Sequence, residues 1–258
     1  MKVTFAYFGE SLATSRLRAR IPQTYLAKIG TRPGKDVLVY SKHWLNHDDI
    51  KGYKKYIFDV SDDHFDGPFS DYYRQHCSQA DAVTCSSQML RERIKAVTGR
   101  IATVIPEPYE GPEGKPDIGP NLLWFGHASN LADFERLGLQ AKVLTNKPPY
   151  EAWTPESFAR EIAKPCIVVI PTGKSLAKSE NRMVETIRRG RYVCAEYLPA
   201  YEPFYRFFPC KSIVEHVQDA QKDTECAKRT ILNAQDFIRH RYSPETIAKQ
   251  WQEVINNL

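Results

Sequence analysis

Short apolar runs rich in valine, isoleucine, tyrosine and phenylalanine alternate with polar segments of helical periodicity along the first 106 residues. The runs have the length and composition of β-strands and lie at 2–9, 36–41, 54–60, 81–87 and 101–106. Helical patterns at 70–80 and 88–97 separate the later runs. Because strands separated by helices need crossover connections, this part of the chain is predicted to form a parallel, doubly wound sheet.

The alternation stops at residues 106–121, where the sequence is PEPYEGPEGKPDIGPN. Its five prolines and three glycines exclude a helix or a central strand, because proline fixes its own backbone and biases the preceding residue toward extended structure. We interpret this stretch as a domain boundary. It predicts a first domain at 1–110, a hinge at 111–121 and a second domain at 122–240.

The same alternation resumes after the hinge. Strand-like runs lie at 122–127, 141–146, 166–171 and 192–197, with helical patterns at 154–163 and 181–190. The last segment, 241–258, places apolar side chains on one stripe at helical spacing, which predicts an amphipathic C-terminal helix. The predicted fold class is α/β, with two Rossmann-like doubly wound domains that face each other across a ligand-binding cleft.

Composition adds a cellular location to this picture. The 258 residues are 42% hydrophobic and 26% charged, and no apolar run approaches the ~20 residues that span a bilayer. The N-terminus lacks the apolar core of a signal peptide, so a cytoplasmic globular protein without a transmembrane segment is expected. The six cysteines form no CxxC pair and are expected to be reduced and buried.

The positive charge is concentrated in one stretch. Residues 171–191 carry six basic and two acidic side chains, which is +4 of the net +5. Such a local focus suits a small anionic ligand such as a phosphate better than a nucleic acid, so no nucleic-acid partner is expected. A solvated helix face with exposed lysines and arginines is the alternative explanation.

Residues 170–190 hold the richest candidate chemistry. A strand is predicted to end shortly before a helix that begins near Ser179, so backbone amides and the positive end of the helix dipole would form an anion site. The cations available there are Lys174 and Lys178. Helical spacing puts a cation, an amide and a carboxylate on one face, namely Lys178, Asn181 and Glu185. Such a set suits a diphosphate next to a ribose, whose vicinal hydroxyls donate to the carboxylate.

A second cluster of polar side chains follows the strand-like run at 54–60. An Asp or a His at the carboxyl end of a strand can take a proton from a hydroxyl group, and the candidate bases in the loop at 58–66 are Asp62, Asp63 and His64. Clustered carboxylates could instead bind a divalent metal. Aspartate is also a common turn residue, so three interpretations of this loop stay open.

The order of several motifs resembles that of glycosyltransferases with the GT-B fold. The segment ETIRRG at 185–190, followed by the strand YVCAEY, resembles the donor-binding helix of that family. The run KSENR at 178–182 resembles a variant found in some bacterial and phage members. Similar segments are LLWFGHASN at 122–130, ADAVTCSSQML at 80–90 and the amphipathic C-terminal helix, which in this fold crosses back onto the first domain.

The resemblance implies roles for individual side chains. Glu185 would hold the ribose of a nucleotide-sugar donor, and the turn formed by Gly126 and His127 would approach its phosphates. The residues expected near the donor's diphosphate or sugar are Lys174, Lys178, Ser179, Asn181 and Arg182. GT-B enzymes often use the loop after the first strand in the cleft, which implies a phosphate or acceptor contact for Arg16 and Arg18. A solvated basic turn is the alternative for these two arginines.

The implied function is an enzyme that moves a sugar from a nucleotide-sugar donor to a hydroxyl acceptor. By the same resemblance it would need no cofactor and no metal, and we expect a monomer or weak dimer. The sequence departs from the family at Ala177, where a first glutamate is expected eight residues before Glu185, and the chain is shorter than typical members. The stereochemical outcome therefore stays open. The alternatives are a non-catalytic nucleotide or sugar-nucleotide binding module and an epimerase-like enzyme.

Overall fold

The computed structural model describes residues 1–7, 9, 12–41, 50–173, 175–209 and 211–258. The chain divides into two compact units, and each contains one parallel sheet. Unit 1 consists of Met1–Glu110, Ala177–Glu180 and His240–Leu258. Unit 2 consists of Gly111–Leu176 and Asn181–Arg239. The chain therefore enters unit 1 three times.

The sheet of unit 1, in its described part, has six parallel strands in the order β2-β1-β3-β4-β5-β6. The strands are β1 (Lys2–Tyr7), β2 (Arg32–Pro33), β3 (Val37–Ser41), β4 (Lys55–Val60), β5 (Ala82–Cys85) and β6 (Thr103–Val104). A π-helical segment, Ser15–Arg20, runs into α1 (Ile21–Lys28), and α2 (Ser70–Gln79) and α3 (Gln88–Thr98) follow. Because the order of strands reverses at β1, the sheet is doubly wound, as the sequence pattern predicts.

Unit 2 repeats this arrangement on a smaller scale, with four described parallel strands in the order β10-β9-β7-β8. The strands are β7 (Leu122–Phe125), β8 (Lys142–Leu144), β9 (Ile167–Ile170) and β10 (Tyr192–Ala195). The helices are α4 (Leu131–Glu135), α5 (Pro155–Ile162), α6 (Asn181–Arg188), α7 (Ile213–Lys222) and α8 (Thr224–Arg241). The start of α5 is fixed by a reciprocal cap, in which the Ser157 amide donates to Thr154 Oγ1 at 3.0 Å and the Thr154 amide donates to Ser157 Oγ at 2.8 Å.

The last helix, α9 (Pro244–Asn256), belongs to unit 1 and packs against α1. Three of the five side chains of its predicted apolar stripe are buried and two are partly buried, and the Trp251 ring meets Phe5 of β1 edge-on at 5.5 Å between ring centres. The α/β class, the two parallel sheets and the return of the C-terminal helix to the first unit are all confirmed.

A buried arginine contacts several elements of unit 1. Arg18 is 2% exposed and donates from Nε and Nη2 to the two carboxylate oxygens of Asp59, at 3.0 and 2.6 Å. It also donates to the Ile105 carbonyl, and its guanidinium lies 5.4 Å from the centre of the Trp251 ring. Burial alone would lower the pKa of Arg18, but the charge and hydrogen bonds of Asp59 raise it, so the cation is kept.

The segment predicted as a hinge is hydrogen-bonded to unit 2. The Gly114 amide donates to the Arg188 carbonyl at 2.9 Å, and the Asp117 amide to the Gly190 carbonyl at 3.0 Å. Gly190 has φ +73°, and a Cβ there would lie 2.2 Å from the Lys115 carbonyl oxygen, so only glycine fits. The buried Arg191 adds bonds to carbonyls of this segment and of the end of α5, namely those of Lys115, Ile162, Ala163 and Lys164.

All five cysteines among the described residues are free, and four of them are buried, which agrees with the predicted reduced thiols. Burial raises the pKa of Cys166 to about 11 and that of Cys77 to about 12, so these thiols stay protonated at neutral pH. Cys210 lies outside the described residues. Among the helices in the described ranges, none combines the length and the apolar character needed to cross a membrane.

The ion pair between Arg18 and Asp59 predicts a large cost for removing one partner. Asp59→Asn leaves a buried guanidinium without its counter-charge, so the free energy of unfolding should fall by about 3–5 kcal/mol. Urea denaturation followed by circular dichroism measures this loss. Lys54→Met is the control, because it removes an ion pair with Asp36 whose lysine side chain is 78% exposed, and it should leave stability almost unchanged. Equal effects of the two substitutions would contradict the assigned role of Arg18.

Candidate functional site

The turn predicted to approach phosphates follows β7, at the carboxyl edge of the sheet of unit 2. Arg182, in the first turn of α6, donates from Nη1 to the Phe125 carbonyl at 3.5 Å. A Cβ on Gly126 would lie 3.2 Å from the Trp124 ring and 3.5 Å from Arg182 Nη1. A Cβ at position 126 would therefore press on the Trp124 ring and be in ordinary van der Waals contact with the Arg182 guanidinium.

The neighbouring strand holds the rest of this turn in place. The Ala128 amide donates to Asn146 Oδ1 at 2.9 Å, and Asn146 lies just beyond the end of β8. His127 is exposed, and its Nδ1 accepts a hydrogen bond from the Ser129 amide at 3.3 Å. An exposed imidazole on a fixed turn is available to a ligand at this edge.

Helix α6 carries one cation, Arg182, in its first turn and one carboxylate, Glu185, one turn further along. Its sheet-facing side consists, as the spacing predicts, of fully buried apolar residues, namely Met183, Val184 and Ile187. Glu185 is 9% exposed, and its Oε1 accepts from Arg189 Nε at 2.9 Å. Glu185 is therefore not a solvated helix residue. Asn181, the first residue of α6, and Arg182 are half-buried. Amides at this helix start favour an anion.

The expectation that Lys178 shares a helix face with Asn181 and Glu185 is wrong. The helix begins at Asn181 rather than near Ser179, so Lys178 precedes it and follows no helical spacing. Lys178 also belongs to unit 1, whereas Asn181 and Glu185 belong to unit 2. Lys174, the other predicted cation, lies outside the described residues.

The segment 177–180, which joins β9 to α6 along the chain, is built into unit 1. The Ser179 hydroxyl donates to Glu107 Oε2 at 2.6 Å, so it is already engaged within unit 1. The Ser87 hydroxyl approaches the Ala177 carbonyl at 3.5 Å. Ala177 itself packs against the hydrophobic core of unit 1, and a glutamate at this position would bring a charge against that core. The departure from the family pattern therefore has a local physical reason.

The three candidate bases in the loop after β4 have different surroundings. Asp63 is exposed and fixes the turn, because it accepts from the Phe65 amide at 3.1 Å and pairs with Arg93 at 3.3 Å. The His64 ring packs against the rings of Phe69 and Tyr73, at 5.9 and 5.1 Å between centres. Asp62 is half-buried and approached by the Ser61 hydroxyl at 3.5 Å. In the part of the chain that the structure describes, no group of three His, Cys, Asp or Glu residues could hold a metal ion.

Arg16 and Arg18 form ion pairs rather than a solvated basic turn. Arg16 is 6% exposed and binds Glu110 through Nε and Nη2, at 2.8 and 2.9 Å. Arg18 is committed to Asp59 inside unit 1. Both arginines, which were predicted to contact a phosphate or the acceptor, thus already bind carboxylates of this chain.

Two buried glutamates, Glu180 at the end of segment 177–180 and Glu107 beside it, were not found by sequence reasoning. Burial raises the pKa of Glu107, against the opposing effects of Arg18 and the Ser179 hydrogen bond. Burial also raises the pKa of Glu180 to about 7. The charge of Glu107 raises this pKa further, whereas the Tyr242 hydrogen bond and the charge of Arg241 lower it. A glutamate between Pro106 and Pro108, in a segment without regular structure, is the one sequence signal that could have indicated Glu107.

The raised pKa of Glu180 predicts a pH-dependent stability. Between about pH 4.5 and pH 7 the unfolded chain loses this proton while the folded chain keeps it, so the stability conferred by the neutral acid falls as pH rises. In Glu180→Gln, which is neutral throughout, this part of the pH dependence should disappear. We expect the difference in unfolding free energy between the two proteins to change by ~1–3 kcal/mol across this range, measured by urea denaturation. A constant difference would contradict the prediction.

The chain is similar to known proteins in structure but not in sequence. No protein-family model matches the chain, and a search of curated proteins finds no match. The structure is similar to HepE of Anabaena in complex with UDP and glucose, with a TM-score of 0.64 and 11% identity over 96% of this chain and 84% of that one.

Two further structures are similar. TarM gives a TM-score of 0.56 and 14% identity over 91% of this chain and 57% of that chain. A DNA-modifying β-glucosyltransferase, studied with and without uridine diphosphoglucose, gives 0.54 and 9% identity over 100% and 99% of the two chains. At these identities the likeness shows the fold alone. The chain has the two-sheet GT-B fold that its motifs predict.

Proposed function

We propose that this protein is a glycosyltransferase that moves a sugar from a UDP-sugar to a hydroxyl acceptor. The observation that carries the proposal is the geometry of α6, which brings Arg182 against the Gly126 turn and holds Glu185 one turn further along. A nucleoside diphosphate has phosphates for the cation and helix amides, and ribose hydroxyls for the carboxylate. The complexes of the similar HepE with UDP and with UDP-glucose support uracil as the base.

The proposed chemistry depends on stabilising the departing diphosphate. Negative charge grows on the leaving oxygen in the transition state, and Arg182 with the amides at the start of α6 would neutralise it without reorganising. For that reason we propose that transfer needs no metal ion and no cofactor. His127, exposed on the fixed turn, is proposed to contact the phosphates or the sugar.

Unit 1 is proposed to bind the acceptor and to supply the base. Among the three candidates, Asp62 is favoured because Asp63 binds the Phe65 amide and Arg93, while the His64 ring packs against aromatic rings. A half-buried carboxylate at the end of β4 can take the proton of an acceptor hydroxyl. We further propose that the protein acts in the cytoplasm as a monomer or weak dimer.

One observation favours a second function, a non-catalytic module that binds the nucleotide or nucleotide sugar. Ala177 stands where the family has its first glutamate, so this position supplies no carboxylate that could bind a sugar. The alanine packs on the core of unit 1 instead. A module of this kind would bind UDP and UDP-sugars but would not cleave them.

The role of Glu185 predicts the effect of its neutral analogue on nucleotide binding. Calorimetric titration with UDP, GDP, ADP and CMP should show micromolar binding of UDP by the wild type. Glu185→Gln should weaken that binding by about 1–3 kcal/mol, because the carboxylate loses its charge-assisted bonds to ribose. Glu161→Gln is the control, since its side chain is also nearly buried, 10% exposed, and forms a helical ion pair with Lys164. No binding of any nucleotide by the wild type would contradict the proposal.

An assay of the wild-type protein distinguishes the proposed enzyme from the alternative, a binding module. Incubation with UDP-glucose and assay of released UDP should show slow hydrolysis of the donor even without an acceptor, as water replaces the acceptor hydroxyl. Binding of UDP-glucose without any release of UDP on long incubation, with panels of sugar and polyol acceptors, would favour the module.

A further inference from the structure

Glu185 is held by Arg189, which lies four residues further along the chain, directly after the end of α6. Arg189 Nε lies 2.9 Å from Glu185 Oε1, and the two side chains are only 19% and 12% exposed. The guanidinium carbon of Arg189 lies 5.8 Å from the centre of the Phe158 ring, which belongs to α5. The guanidinium is therefore fixed by an aromatic ring and a carboxylate.

The backbone of Gly111 packs directly on this ion pair. A Cβ on Gly111 would lie 2.0 Å from Arg189 Nε and 2.3 Å from Glu185 Oε1. Gly111 is not among the glycines with positive φ, so an alanine would not strain the backbone there. Position 111 therefore needs a glycine because the ion pair occupies the space of a side chain, and not because of its backbone conformation.

We propose that Arg189 and Gly111 are positioning residues, which fix the Glu185 carboxylate for the vicinal hydroxyls of the donor's ribose. This inference rests on the proposed function, because it takes Glu185 as the acceptor of those hydroxyls. A glutamate side chain has three rotatable bonds, and ordering it at the moment of binding weakens affinity. Arg189 orders the carboxylate beforehand, and Gly111 leaves the space that the ordered pair occupies.

This assignment makes Arg189 and Gly111 determinants of selectivity for ribose. A carboxylate fixed in advance gains most from a ligand that offers both hydroxyls, and little from one that offers neither. The affinity ratio between UDP and 2′,3′-dideoxy-UDP isolates this effect. Loss of general stability would weaken both ligands alike, so a purely structural role would leave the ratio unchanged.

The experiment titrates both ligands into the wild type, Glu185→Gln, Arg189→Met and Gly111→Ala. Methionine keeps the contact with Phe158 but cannot donate, and alanine displaces the ends of both side chains without removing a donor. We expect the wild type to prefer UDP by roughly tenfold or more, and the ratio to fall to about one in Glu185→Gln. In Arg189→Met and Gly111→Ala it should fall by roughly fivefold. Arg160→Met, which makes the same charge change on α5, should keep the wild-type ratio.

The possible failures are distinguishable. A wild type that does not bind UDP, or binds the two ligands equally, overturns the proposed donor site and this inference with it. A ratio that collapses in Glu185→Gln but persists in Arg189→Met and Gly111→Ala overturns the inference alone. Should Arg189→Met fail to fold, as judged by circular dichroism, Gly111→Ala decides, because it removes no hydrogen-bond donor or acceptor.

Discussion

The buried guanidinium of Arg18 constrains how the distant parts of unit 1 come together. Its donors need acceptors because no water surrounds them, and those acceptors come from β4, through Asp59, and from the residue after β6, through the Ile105 carbonyl. The Trp251 ring of α9 covers the cation. Three parts of the chain that are far apart in sequence must therefore be in place together. The end of β4, from which Asp62 projects, is one of them.

The regular elements were largely predictable because local chemistry specifies them. The run at 166–171 is continuously apolar and forms the fully buried β9, and Thr154 with Pro155 marks the start of α5. The helix at Ser15–Arg20 was not predictable in the same way. Arginines are usually exposed, and only the pairing of Arg18 with Asp59, 41 residues away, makes burial favourable. Sequence patterns do not report such distant partners.

The candidate site shows the same division between local and distant information. Glu185 was identified from its own helix, and its pairing with Arg189 follows the spacing of four residues. The approach of Gly111 to that pair depends on how the segment 111–121 packs on unit 2 and has no local signal. The bond of Ser179 to Glu107, 72 residues away, is invisible in the sequence. Lys178 was misplaced because the helix begins a few residues later than its polar pattern suggests.

The threefold entry of the chain into unit 1 has a consequence during synthesis. The core formed by Val3, Phe5 and Val39 is completed by side chains of α9, including Trp251 and Ile255, which a ribosome makes only after all of unit 2. Until those residues leave the ribosome, residues 1–110 lack the side chains that cover one apolar face of their sheet. Both segments of unit 2 lie between segments of unit 1, so unit 2 is fully synthesised before α9 and can fold earlier. Unit 1 can therefore complete its core only after unit 2 has been translated, although its largest segment precedes unit 2, and in that interval its uncovered sheet face would favour binding by chaperones.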